Sequence, residues 1–267
     1  MDTRTFNEFR QLVYQQSGIA LGPGKEALVC ARLGKRLRAL GMDDYQSYLR
    51  YVMNDPKGQE IAELLDAIST NVTGFFREPA HFDFLAWAVP EWLAKGQTRF
   101  RFWSAACATG QEPYSMAITL LEALRGQSLD ARILATDIST RALAQARRAT
   151  YDGGEMEAVP ADLRQRYFDP IRNQAGTWYR AKDVVRQWVV FHRLNLSSPP
   201  FPMRGPFDAI FCRNVMIYFD HKTRANLLAE IRRLLRPGGY LMVGHAESLT
   251  GMSRDLKSVR PAIYVRR

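Results

Sequence analysis

The sequence predicts an α/β protein in which a doubly wound, Rossmann-like sheet follows an all-helical N-terminal domain. Residues 1–88 show only the apolar spacing that helices produce. From about residue 99, short apolar runs alternate with helical patterns, as in a parallel sheet with helices on both faces. Residues 151–187 interrupt this alternation with paired glycines and a hairpin pattern. They predict a small antiparallel β-subdomain inserted into a second domain at 89–267.

Four short helices account for the N-terminal domain. Each has apolar residues three and four positions apart, and the four patterns begin at Phe6, Leu28, Tyr45 and Ile61. Gly41 fits the C-cap of the second helix. Residues 54–56, Asn-Asp-Pro, should stop the third helix, and the small polar residues 69–74 end the helical signal.

In the second domain, the apolar patterns predict strands and helices in alternation. Strands are predicted at 99–106, 131–137, 189–195, 207–212, 240–244 and 262–265, and helices at 111–124, 140–148 and 222–235. Residues 237–239, Pro-Gly-Gly, should stop the last helix. Inside the insertion, Lys182-Asp183 predicts the turn of the hairpin.

The net charge of +10 favours an acidic partner, which could be a nucleic acid, an anionic membrane surface or an acidic protein. Residues 1–90 carry ten Lys and Arg against eleven Asp and Glu, so most of the excess lies downstream, although 25–38 is locally basic. RGG repeats, a Lys-rich tail and an aromatic-basic RNP pattern are all missing. We therefore expect no nucleic-acid partner.

Cysteine spacing and hydropathy point to a cytoplasmic protein. Cys30, Cys107 and Cys212 lie far apart and outside any metal-ligand spacing, so we expect reduced thiols and no metal. The sequence contains no apolar run of the roughly 20 residues that a membrane span needs. The first residues also lack the apolar core of a signal peptide, so no membrane insertion is expected.

Three segments predict a nucleotide cofactor at the carboxyl ends of the strands. Residues 103–110 lead from a strand through small residues into a helix. Asp137 ends the second strand, where an acid grips ribose hydroxyls; the alternative is an N-cap for the helix near Thr140. The late helix, Pro-Gly-Gly and strand at 235–241 are common in S-adenosylmethionine methyltransferases. A dehydrogenase would more often show the full glycine fingerprint.

Four motifs, in order along nearly the whole chain, carry a family resemblance. Asn71 to Glu78 reads NVTGFFRE, and residues 103–106 with 110–115 read WSAA and GQEPYS. Residues 207–219 read FDAIFCRNVMIYF, and residues 244–248 read GHAES. Together they resemble the chemotaxis receptor methyltransferases, the CheR family.

The resemblance implies a class I S-adenosylmethionine methyltransferase fold and a protein-glutamate O-methyltransferase. Its substrates would be glutamates on the cytoplasmic helical domains of transmembrane chemoreceptors, and its product from the cofactor would be S-adenosylhomocysteine. Arg77 and Tyr218 would face the reacting centre. The implied cofactor-binding residues are Asn71, Thr73, Arg77, Glu112, Asp137, Asn195, Leu196, Arg213 and Asn214.

The chemistry of such a transfer agrees with the residues present. A glutamate carboxylate is already ionised at neutral pH, so a general base is not required. The four histidines are scattered along the sequence and are expected to be structural. For Glu112 the alternative is a first-turn charge on a helix, and for Arg77 it is an ordinary ion pair.

Two surfaces could meet a partner. Residues 27–39 predict an amphipathic helix whose basic side bears Arg32, Lys35, Arg36 and Arg38. In the family this helix is similar to a docking surface for acidic receptor helices; the alternative is a solvated face. The β-subdomain corresponds to one that captures a receptor C-terminal peptide by strand addition in some members.

Two other functions stay open on the sequence. One is a methyltransferase that acts on RNA or a small molecule, as the positive charge would allow. The other is a non-catalytic adaptor that keeps the fold and binds only a ligand or receptor. The joint presence of Arg77, Asp137, Asn214 and Tyr218 argues against the adaptor.

Overall fold

The computed structural model describes residues 1–124, 127, 129–173, 176–249, 251–252 and 255–267. The helices are α1 (Thr3–Ser17), α2 (Glu26–Leu40), α3 (Tyr45–Met53), α4 (Gln59–Ile68), α5 (Ala80–Ala94), α6 (Gln111–Ala123), α7 (Thr140–Arg148), α8 (Ala161–Tyr167), α9 (Asp183–Arg186) and α10 (His221–Leu234). The strands are β1 (Arg99–Ser104), β2 (Asp130–Asp137), β3 (Thr150–Asp152), β4 (Phe168–Asn173), β5 (Gly176–Ala181), β6 (Val189–Arg193), β7 (Phe207–Phe211), β8 (Leu235–Met242), β9 (Leu256–Arg260) and β10 (Ile263–Arg266). A 3₁₀ turn covers Met216–Tyr218.

The first four helices form a bundle with its own apolar core. Phe9 of α1 and Leu33 of α2 are fully buried in it. Asp2 caps α1 by accepting the backbone N–H of Thr5 at 2.9 Å. Gly41 ends α2 with a φ of 65°, a left-handed conformation that glycine adopts without steric cost. The prediction of an all-helical N-terminal region is confirmed.

The main sheet has the strand order β6-β2-β1-β7-β8-β10-β9. The strands from β6 to β8 run parallel, whereas β10 is antiparallel to both of its neighbours. The chain moves outward from β1 to β2 and β6, and then returns to the other side of β1 with β7. Strand order therefore reverses between β1 and β7, and at such a point open α/β sheets bind their ligands.

The last strands differ from the sequence prediction. β8 begins at Leu235, directly after α10, so that the Pro-Gly-Gly at 237–239 lies inside the strand at an irregularity in its pairing with β7. A Cβ at Gly239 would lie 2.9 Å from the Asp208 carbonyl oxygen, so this close approach of the two strands requires glycine. β9 was not predicted, because four of its five residues are exposed and its pattern lacks an apolar face.

The insertion is confirmed as a small antiparallel sheet, with the order β3-β5-β4. Its predicted turn at Lys182-Asp183 is wrong. β5 ends at Ala181, and Lys182 precedes the short helix α9, whose first residue is Asp183. An acidic residue after a strand favours a helix start as much as a turn. The hairpin joins β4 to β5 at residues 174–175, which lie outside the described residues.

Helix α5 runs through the predicted domain boundary at residue 88. Leu85, Val89 and Trp92 belong to the same buried cluster as Phe100 and Phe102 of β1. The helix therefore packs against the sheet rather than in the N-terminal bundle. None of the helices that the structure describes is long and apolar enough to cross a membrane.

Polar contacts place the bundle over the carboxyl edge of the sheet. Asp66 of α4 accepts the Thr140 hydroxyl at 2.8 Å and the Arg141 backbone N–H at 3.2 Å, at the start of α7. On the other side, Ile19 forms an antiparallel bridge with Phe219. The bundle and the sheet thus meet on two sides of the edge where a ligand would bind.

Candidate active site

A cavity of about 360 Å³ lies between the bundle and the carboxyl ends of the strands. This volume falls in the range of small-molecule sites. The walls come from the segment after α1, the segment after α4, and the ends of β1, β2, β6 and β7. The nine predicted cofactor residues and Tyr218 all line it: Asn71, Thr73, Arg77, Glu112, Asp137, Asn195, Leu196, Arg213, Asn214 and Tyr218.

Asp137 ends β2 with both carboxylate oxygens held by backbone N–H groups. Oδ2 accepts from Ala108 and Oδ1 from Ser139, each at 2.9 Å. Burial raises the pKa of Asp137, although these amides act in the opposite direction. The N-cap of α7 is Ser139, which accepts the Ala142 N–H, so the alternative role of Asp137 as that cap is wrong. The remaining lone pairs of the carboxylate can accept hydroxyl groups from a ligand.

Glu112, Arg213 and Glu78 form a buried chain of charges. Glu112, in the first turn of α6, accepts the Ser104 hydroxyl at 2.7 Å and Arg213 Nη1 at 3.0 Å. Arg213 Nη2 lies 3.0 Å from a Glu78 carboxylate oxygen and donates to the Arg77 carbonyl at 2.5 Å. Burial raises the pKa of Glu112, against the attraction of Arg213. Glu112 is therefore more than a surface charge at a helix start.

Arg77 lies in strained backbone with an exposed side chain. Its neighbours Phe76 and Glu78 have φ values of 51° and 58°, in the left-handed region that non-glycine residues avoid. Such strain often accompanies a functional site. The guanidinium donates to the Val72 carbonyl at 2.9 Å. Among the described residues it forms no ion pair within 4.0 Å, so its positive charge is available to the cavity.

Asn195 and Asn214 differ in what their side chains can still bind. The amide of Asn195 donates to the Gln16 carbonyl at 2.8 Å and accepts from the N–H and hydroxyl of Ser197. Protein contacts therefore use most of the hydrogen-bonding groups of the Asn195 side chain. Among the described residues, the side-chain amide of Asn214 makes only one long contact, of 3.4 Å to Glu78 Oε1.

The basic side of α2 is not one outward face. Arg36 forms two hydrogen bonds with Glu60, at 2.8 and 2.5 Å. Arg32 donates to the Ile68 carbonyl and to the Thr70 hydroxyl, and it lines the cavity. Of the four basic residues predicted to form this side of α2, only Lys35 and Arg38 are exposed.

Two of the four histidines, which are scattered along the sequence, lie close together in the structure. The rings of His81 and His245 have centroids 5.4 Å apart, and Nδ1 of His81 lies 3.6 Å from Glu78. Burial lowers the pKa of His81 to about 4, so it is neutral at pH 7. The spacing of Glu78, His81 and His245 could admit a metal ion, but Arg213 already neutralises the Glu78 carboxylate.

Some residues of the site carried no predicted role. Ile19, Ala20 and Leu21 form one wall, and the Ala20 N–H donates to the Tyr218 carbonyl at 2.8 Å. Their small and apolar side chains gave no chemical signal. Glu78 and Glu247 stood inside quoted motifs, but the patterns alone did not reveal that their carboxylates bind residues that line the cavity.

The sheet order and the cavity at its switch point define a doubly wound α/β fold that binds its ligand at the carboxyl ends of the strands. A family model described as "CheR methyltransferase, SAM binding domain" matches residues 71–265. A second, "CheR methyltransferase, all-alpha domain", matches residues 4–69. The chain therefore belongs to the CheR methyltransferase family. The predicted family, methyltransferase function and cofactor are confirmed.

Curated relatives match nearly the whole chain. It is 38% identical over 259 residues to the "Chemotaxis protein methyltransferase" of Salmonella typhimurium, covering 97% of this chain and 88% of that one. It is 39% identical to "Chemotaxis protein methyltransferase 2" of Pseudomonas aeruginosa, and that match covers 97% of this chain and 91% of the relative. A solved S-adenosylmethionine-dependent methyltransferase from Mesorhizobium loti aligns at 16% identity, over 54% of this chain and 46% of that one. Its TM-score of 0.33 is too low to add to the assignment.

Proposed function

We propose that the protein methylates glutamate side chains on the cytoplasmic helical domains of transmembrane chemoreceptors. The observation that carries this proposal is the convergence of ten predicted residues on one cavity, with Arg77 exposed and without an ion pair among the described residues. A cation at the mouth attracts and orients a carboxylate acceptor. The cavity wall, as far as the structure describes it, includes no histidine, which suits an acceptor that needs no base.

The residues present fit S-adenosylmethionine, which when bound supplies an activated methyl group on a sulfonium. Asp137 would accept the ribose hydroxyls with its remaining lone pairs. Glu112, Arg213 and Asn214 would hold the amino-acid end of the cofactor, together with Asn71 and Thr73. Leu196 and the backbone of Asn195 would contact the base. Arg77 and Tyr218 would hold the acceptor carboxylate in line, and a bound acceptor would displace water from the cavity.

We further infer that receptors dock on α2 and that the enzyme acts in the cytoplasm. Lys35 and Arg38 are exposed and three residues apart on α2, the helix that also carries the cavity residue Arg32. Receptor helices rich in glutamate would be steered to these charges. A receptor C-terminal peptide could add to β4, since each outer strand of the order β3-β5-β4 has one partner in that sheet.

Methyl transfer to a purified receptor cytoplasmic fragment tests the acceptor. The fragment is incubated with enzyme and labelled S-adenosylmethionine, and the product is treated with base. Carboxyl methyl esters release labelled methanol, whereas methylated RNA bases do not. A fragment with its glutamates replaced by glutamine should accept no label. Label that stays on the receptor after base, or that enters only RNA or a small molecule, would contradict the proposal. A protein that binds S-adenosylhomocysteine without turnover would instead be an adaptor.

A further inference from the structure

The motif at 244–248 follows β8, yet none of its residues lines the cavity, although all five are described. Its acid, Glu247, is 7% exposed and reaches across to the loop that follows β7. That loop carries Arg213 and Asn214 at its start and Tyr218 at its end, all three in the cavity wall. The motif therefore contacts the site through this loop.

The Glu247 carboxylate accepts four backbone N–H groups. Oε2 accepts from Asn214 at 2.8 Å and from Gly244 at 2.6 Å. Oε1 accepts from Met216 at 2.7 Å and from Ile217 at 3.3 Å. A single side chain thus binds three amides of the loop and ties them to the end of β8. A charged acceptor makes these bonds stronger than neutral ones.

The loop has a conformation that needs such an anchor. Asn214 has a φ of 57°, which is unfavourable for a residue with a side chain, and Val215 follows at φ −120° and ψ −37°. Successive backbone N–H groups in a turn of this kind form a concave site for an anion. Here the anion is Glu247. It holds in place a backbone that would otherwise relax.

The end of β8 is shaped to admit this carboxylate. A Cβ at Gly244 would collide with the Asn214 side chain and would lie 2.9 Å from Glu247 Oε2. Glycine at this position therefore lets the amide of Asn214 and the carboxylate of Glu247 lie side by side. Glu78 pairs with Arg213 at the start of the loop, so two different carboxylates hold the loop.

We propose that Glu247 is a positioning residue, which fixes the loop 213–218 so that Asn214 and Tyr218 face the cavity. It touches neither the cofactor nor the acceptor. The expected effect on turnover rests on the proposed function, whereas the expected effect on the order of the loop does not. Loss of the carboxylate should loosen the loop, weaken ligand binding through Asn214 and slow turnover through Tyr218.

The test compares Glu247→Gln with the wild-type protein and with Glu230→Gln. Glutamine has nearly the same shape as glutamate. Its NH₂ group, however, would turn two N–H donors toward the backbone N–H groups of the loop, and donors repel each other. Glu230 is the matched control, because its carboxylate also accepts a backbone N–H, from Phe201 at 3.0 Å, but lies on α10 away from the cavity. Hydrogen–deuterium exchange of peptides covering 213–219 reads loop order directly. Calorimetry with S-adenosylhomocysteine and steady-state kinetics read the consequences.

In Glu247→Gln we expect amides 214–217 to exchange at least tenfold faster, while β7 stays protected. The dissociation constant for S-adenosylhomocysteine should rise about tenfold and kcat should fall. Glu230→Gln should show none of these changes, even if its melting temperature drops. Wild-type loop exchange or wild-type affinity in folded Glu247→Gln would overturn the proposal. If that variant does not fold, Glu247→Asp decides, since its shorter side chain cannot bridge the same amides and should show the same effects in smaller size.

The two proposals can fail separately. If the wild-type protein binds S-adenosylhomocysteine but does not esterify receptors, the proposed function fails and the exchange and affinity results still judge Glu247. If esterification occurs and the loop in folded Glu247→Gln exchanges as in the wild type, only the positioning role fails.

Discussion

Asp137 combines a buried charge with a proposed contact to the ligand. Its carboxylate is almost fully buried, and two backbone N–H groups offset part of the cost of burying the charge. A ligand that donates hydroxyl groups would complete its hydrogen bonds. The sequence predicted this position from one acid at the end of a strand. It could not show that the competing role as a helix cap belongs to Ser139.

Asp137→Ala should weaken S-adenosylhomocysteine binding by about 1.5–3 kcal/mol, the scale of a hydrogen bond to a charged group. Calorimetric titration measures the change. Asp130→Ala, at the exposed start of the same strand, is the control and should bind normally. Unchanged affinity in a folded Asp137→Ala protein would remove Asp137 from the cofactor site.

Tyr218→Phe should lower kcat more than it changes cofactor affinity, because the hydroxyl is proposed to act on the reacting groups. Arg77→Ala should lower cofactor affinity, turnover or both, because it removes an exposed cation from the cavity wall. Steady-state kinetics with a receptor fragment, beside calorimetry, separate the two effects. Full activity in both variants would refute the assignment of the reacting centre.

His81 should make folding stability depend on pH. Burial lowers its pKa to about 4 in the folded protein, whereas an unfolded histidine titrates near 6.5. As pH falls from about 6.5 to about 4, the unfolded state takes up the proton first, so stability falls over this interval. Urea unfolding at pH 7.5 and pH 5.0 should show a smaller loss for His81→Phe than for wild type. His221→Gln, on an exposed histidine, should behave as wild type; equal losses in all three would exclude His81 as the cause.

At the scale of elements, sequence patterns predicted what was buried and missed what was exposed. The bundle helices and the central strands were found because each buries a regular apolar face. β9 has one buried residue, and α8 has one as well, so neither shows a periodic pattern. On α2, spacing identified the basic residues, but it could not reveal that Glu60, far along the sequence, binds Arg36.

Replacing Lys35 and Arg38 together with alanine should raise the apparent KM for receptor and leave S-adenosylhomocysteine affinity unchanged. Each exposed ion pair contributes only about 0.2–1 kcal/mol, so both residues are replaced in order to give a measurable effect. Salt should weaken the wild type more than the variant, because screening acts on exposed charges. Lys57→Ala with Lys95→Ala, two exposed lysines elsewhere, is the control. Normal receptor kinetics at low salt in the first variant would place docking on another surface.

At the scale of the whole molecule, the site depends on how the bundle meets the sheet. Strand and helix order could be predicted from the sequence, and the four motifs contain six of the nine proposed cofactor residues. Asp137 came from its place at a strand end, and Asn195 and Leu196 came from the family resemblance. The cavity itself could not be predicted, because Ile19 with Phe219, and Asp66 with Thr140, join residues far apart in the chain. Such contacts arise only when separate elements pack.

Asp66→Ala should destabilise the protein by about 1–3 kcal/mol and weaken S-adenosylhomocysteine binding, because it leaves two donors at the start of α7 without their acceptor. Thermal unfolding with and without ligand measures both effects. Glu63→Ala, on the same helix with an exposed side chain, is the control. Wild-type ligand affinity in Asp66→Ala would show that this contact supports folding alone.

The walls of the cavity begin at Ser17 and end at Phe219, so they span most of the chain. On the ribosome, α1 leaves the exit tunnel long before β7 is made, and β7 is the strand that pairs with one side of β1. A nascent chain that stops short of β7 lacks the partner for one side of the central strand β1 and cannot form the binding pocket. Cofactor can therefore stabilise the protein only near the end of synthesis. Folding must also wait for these distant pairings, which is typical of a high contact order.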